Sequence, residues 1–127
     1  MTKGKLPSDI RVLDGEYCNR LWLELKTLAR VQAKLTTEGI RSPRTGREIS
    51  RPAIAMAVWR WCCRHPEESF ELERKSRAAS GEVLTRDMWN LELIAHAMRV
   101  FTSAGYLKWI RQHDLEGIAK QYALSIR

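Results

Sequence analysis

Apolar residues recur every three or four positions along almost the whole chain, and no stretch alternates apolar and polar residues for the length of a strand. Side chains at that spacing share one face of a helix but fall on both faces of a strand, so a sheet could not bury them together. The expected fold class is therefore all-α, a single bundle of about five helices that contains a helix-turn-helix. With 127 residues, folding hides roughly two-thirds of the surface of the unfolded chain, which is enough for one core. No apolar run approaches the roughly 20 residues of a membrane span, so no membrane contact is expected.

Glycine, proline and capping residues punctuate the pattern. Residues 1–13, with Gly4, Pro7 and Ser8, read as a flexible arm, and residues 14–127 as one helical domain. The spacing of Leu21, Leu25, Leu28 and Leu35 predicts one long amphipathic helix from Asp14 to Leu35, with Gly39 suited to a left-handed C-cap. A connection follows from Ile40 to Ile49, with a tight turn or short hairpin at Arg44 to Arg47 around Gly46. Ser50 is an N-cap and Pro52 sits in the first turn of a helix that runs to Arg64 and stops at Pro66. A helix from Glu67 to Ala79 has its acidic residues early and its basic residues late, the order the helix dipole favours. Thr85 caps another, to about Phe101, with Met88, Leu91, Ala95 and Met98 on one stripe and Ile94 and Phe101 beside it. Gly105 separates it from a final helical stretch that breaks near His113-Asp114. Residues 82–127 would buttress the fold or form a homodimer contact.

Charge is unevenly spread. The chain carries 22 basic and 15 acidic residues, a net charge of +7, and most of the excess lies in residues 41–64, where six arginines face a single glutamate. Arg41, Arg44, Arg47, Arg51, Arg60 and Arg64 supply planar donor forks that match phosphate oxygens and the guanine edge. Wound onto a helix, residues 51–64 place Ile54, Val58, Trp61 and Cys62 in one apolar arc. Ala53, Met56, Ala57, Arg60, Cys63 and Arg64 fall opposite. Short side chains with two long arginines make a face that fits the major groove, so Ala53, Met56, Ala57, Arg60 and Arg64 are the expected base contacts. Arg41, Arg44, Arg47, Ser50 and Arg51 would hold phosphates near the helix N-terminus. Trp59, on the flank, is the expected stacking or interface residue.

The run Val31-Gln-Ala-Lys-Leu35-Thr-Thr-Glu-Gly39-Ile40, followed by Gly46, Ser50 and Ile54 to Val58, resembles the helix-turn-helix region of large serine recombinases. Gln32, Thr36 and Ile49 stand where that pattern has Ala, Asn and Trp. The resemblance covers residues 31–66 and implies a helix-turn-helix unit over about 28–66, whose second helix, Ser50 to Arg64, contacts DNA. That family's catalytic domain has no room ahead of this segment, so recombination is not expected.

Other patterns give weaker chemistry. Cys62, Cys63 and His65 lack a second Cys/His pair for a tetrahedral metal, and three cysteines with two adjacent make a poor disulfide framework. Reduced, packing cysteines are expected, with no metal and no cofactor. Glu92 and His96 lie four apart on one helix face without a nucleophile or phosphate loop, so no enzyme is expected. Lys3 and Lys5 have no apolar stretch behind them, so no secretory leader is expected and a cytoplasmic, nucleoid-associated location follows. The sequence thus reads as a non-enzymatic protein that binds double-stranded DNA, a regulator or accessory factor of the phage or mobile-element type. The alternative is a protein-interaction module, such as a phage-encoded inhibitor of a host protein, that uses the same Arg, Trp and Met surface.

Overall fold

A computed structural model describes residues 13–125. The arm expected at 1–13 thus lies, except for Leu13, outside the described residues. Among these residues the chain forms seven helices and no strand beyond one isolated bridge: α1 Gly15–Leu25, α2 Leu28–Thr37, α3 Arg51–Arg64, α4 Pro66–Ala79, α5 Arg86–Val100, α6 Ser103–Gln112 and α7 Glu116–Ser125. The all-α class holds. The helices group into two compact units, Met1–Trp61 and Cys62–Arg127, rather than one bundle. No described helix is long and apolar enough to cross a membrane.

The first unit corrects the long helix expected from Asp14 to Leu35. Lys26 takes a left-handed conformation, φ 72°, and closes α1 by donating its N–H to the Trp22 carbonyl. Thr27 then caps α2, its hydroxyl accepting from the Arg30 N–H at 3.2 Å. A straight helix would hold Leu21 and Leu35 about 21 Å apart. The break lets α1 and α2 pack on each other, so that Cys18, Leu21, Val31 and Leu35 are all buried. Tyr17 braces the pair by donating its hydroxyl to the Glu38 carboxylate at 2.6 Å, and that carboxylate pushes the phenol up to about 12. Gly39, at φ 76°, ends α2 as expected, with the Ile40 N–H bonded back to the Leu35 carbonyl.

In the second unit α5 packs against α4, α6 and α7. It therefore buries Trp89, Leu93, Ile94 and Ala97, of which the spacing suggests only Ile94. Met88, Leu91 and Met98 of that stripe are exposed. Two arginines tie α4 to α5: Arg86 grips Glu67 with both terminal nitrogens at 2.7 and 2.8 Å, and Arg77 grips Glu92 at 2.9 and 2.8 Å. Gly105 is not a separator. Phe101 breaks the chain instead, and Gly105 lies in the first turn of α6, donating its N–H to the capping Thr102 hydroxyl. Asp114, at φ 56°, makes the break expected near His113. The three cysteines are free and buried, and burial pushes each thiol up to about 12.

Candidate nucleic-acid interface

The basic turn is built by short-range bonds. Arg41 and Glu48 form an antiparallel bridge, and the Ser42 N–H donates to the Arg47 carbonyl at 2.8 Å. Inside the loop the Ser42 hydroxyl accepts from the Arg44 and Thr45 N–H groups, and Gly46 supplies the left-handed φ of 72° that returns the chain. The expected tight turn is present, closed by the single Arg41–Glu48 bridge. Side chains of α2 fix its exit: Gln32 donates to the Ile49 carbonyl at 2.9 Å and accepts from the Arg51 Nε, while the Thr36 hydroxyl donates to Glu48. Ile49 plugs into the core below. The connection from Glu38 to Ser50 is thus ordered, but longer than the three or four residues of a tight helix-turn-helix.

Ser50 caps α3 as expected, its hydroxyl accepting from the Ala53 N–H at 3.3 Å. That bond changes the anion chemistry of the helix start. Pro52 has no N–H and the Ala53 N–H is taken, so the helix start offers an anion fewer backbone donors and the arginine side chains matter more there.

Arg41, Arg44, Arg47, Ser50, Arg51 and Ala53 are exposed, Met56, Trp59 and Arg60 are half-buried, and Arg64 is exposed. Among the described residues Arg41, Arg44, Arg47 and Arg60 make no ion pair, whereas Arg74, Arg77, Arg86 and Arg111 of the second unit are each paired with glutamate. Arg44 and Arg60 come together on one shallow groove of about 260 Å³, rimmed by Ser42 and Pro43 and floored by Leu13, Ile49, Ala53 and Ala57.

Two expected positions are corrected. Ala57 is buried at 7% exposure, because α1 closes on it: a Cβ added to Gly15 would lie 2.7 Å from the Ala57 carbonyl oxygen. It floors the groove and cannot reach a base edge. Cys63, placed on the outer face by the helical wheel, is fully buried with its thiol against the Leu93 carbonyl at 3.5 Å. Arg64 is exposed and lines a groove of the second unit. Gln32, Thr36 and Glu48, which hold the turn, gave no sequence signal, because their partners are 12 to 19 residues away.

Of the pair Glu92 and His96, Glu92 is engaged by Arg77, and burial holds His96 neutral, its pKa down at about 4. Among the described residues no group of His, Cys, Asp or Glu side chains could hold a metal ion. No family model, curated protein or solved structure matches this chain.

Proposed function

We propose that this chain is a non-enzymatic DNA-binding protein, a regulator or accessory factor of the phage or plasmid type, that presents α3 and the basic turn to a duplex. One observation carries this reading. Four arginines of the first unit, Arg41, Arg44, Arg47 and Arg60, stand on one ordered turn and one helix without a carboxylate partner among the described residues. Like charges without carboxylate partners repel, and a polyanion relieves that repulsion while releasing its own counterions. The outward stripe of Ala53, Met56 and Arg60 is short enough at its start to approach base edges, and Arg60 has the donor geometry for guanine. The resemblance of residues 31–66 to a recombinase helix-turn-helix supports the same orientation.

The test is fluorescence anisotropy of a labelled duplex at several salt concentrations. Log affinity is expected to fall with log salt at a slope of about −3 to −5, as about four or five phosphates are neutralised. Arg44→Ala should weaken all sequences alike, whereas Arg60→Ala should relax base preference at about 1–3 kcal/mol. No retention of any duplex at low salt overturns the reading. The surface formed by Met88, Leu91 and Met98 would then favour a protein-interaction module.

A further inference from the structure

The second unit contains a groove that the DNA reading does not use. One face of α6 lines it through Gly105, Lys108, Trp109 and Gln112, at the spacing that puts three side chains in a row beside the bare glycine backbone. Arg64 and Phe101 complete it, with His113 at its edge. Its volume is about 320 Å³, at the small end of ligand pockets. Size alone limits an occupant to about one ring and one polar group.

The lining is chemically one-sided. It holds two cations, Arg64 and Lys108, and no carboxylate, and among the described residues neither cation makes an ion pair. Beside them stands an aromatic wall that is already fixed, the half-buried Phe101 and the small part of Trp109 left at 5% exposure. Trp109 donates its indole N–H to the Cys63 carbonyl at 2.7 Å, with Phe101 6.3 Å and His113 5.3 Å from its ring. A wall held in place by its own hydrogen bond loses little freedom when a ring packs against it. Burial and the nearby Arg86 lower the His113 pKa, so at neutral pH the imidazole adds an uncharged polar edge rather than a third cation.

We propose that this groove binds a small anion carrying one aromatic ring, its acidic group met by Arg64 and Lys108 and its ring by Phe101 beside the exposed edge of Trp109. This does not rest on the DNA reading, since none of the turn arginines takes part. The probe is phenyl phosphate, titrated into the full chain labelled with ¹⁵N, with inorganic phosphate and benzyl alcohol as its two halves.

Saturable shifts of the Trp109 indole N–H and the Gly105 amide are expected, with either half binding at least about tenfold more weakly. Lys108→Glu should abolish the shifts and Lys108→Arg should keep them, with the remaining spectrum reporting the fold of each. Lys108 is exposed, and Lys108→Ala gives a second test that leaves the core untouched. Phenyl phosphate binding no better than phosphate alone, or equally well to Lys108→Glu, overturns the proposal. So does a groove whose signals answer to a duplex oligonucleotide and not to phenyl phosphate. Arg44→Ala should leave the titration unchanged, which separates this test from that of the DNA site.

Discussion

His96 lies on α5 with its ring against the edge of Trp89, centroids 6.3 Å apart, and burial pulls its pKa from 6.5 down to about 4. Arg99 adds to that shift and Glu92 opposes it. Because the folded pKa lies below the unfolded one, the unfolded chain takes up the proton first as pH falls. The contribution of His96 is therefore fully present above about pH 6.5 and is lost as pH drops toward 4. A loss of about 2 kcal/mol is expected over that interval, after allowance for partial exposure. Urea unfolding at pH 7 and pH 4.5 measures it, and His96→Phe should flatten the difference. The sequence shows Glu92 and His96 as neighbours four apart on one helix. It does not show that Glu92 bonds Arg77 fifteen residues away, because that choice is made by the packing of α4 on α5 rather than by local spacing.

Helix boundaries were legible where a side chain or a glycine makes the cap itself. Ser50, Thr85, Gly39 and the start of α4 at Pro66 all act as their residue types suggest. The end of α1 was not legible, since a lysine in the left-handed region carries no local signal and the tertiary packing of α1 on α2 imposes it. Gly15 is a further case in which the neighbour matters more than the element. Its missing side chain lets α1 approach α3 so closely that an added Cβ would meet the Ala57 carbonyl at 2.7 Å and the Trp61 Cβ at 2.8 Å. Neither atom is the free end of a flexible chain. Gly15→Ala should therefore destabilise the protein by about 1–3 kcal/mol through overpacking, although alanine is the better helix former. Chemical denaturation settles the sign: a neutral or stabilising result would show that α1 can shift away from α3 without cost.

Across the whole molecule, charge was the property most visible in the sequence. The arginine-rich segment found by counting is the segment left without ion pairs among the described residues, while the balanced C-terminal half uses its arginines to join helices. The grouping into two units was hidden, because α3 runs unbroken through the boundary and its pattern does not change there. The cysteines are distributed across that boundary, with Cys18 in the first unit and Cys62 and Cys63 in the second. Buried and protonated at neutral pH, none can react with an alkylating reagent until its own unit opens. Mass spectrometry of a timed alkylation should therefore find no rapidly modified site. The three thiols then act as built-in stopwatches: units that breathe separately modify Cys18 at a rate of its own, and units that unfold as one give a single rate for all three.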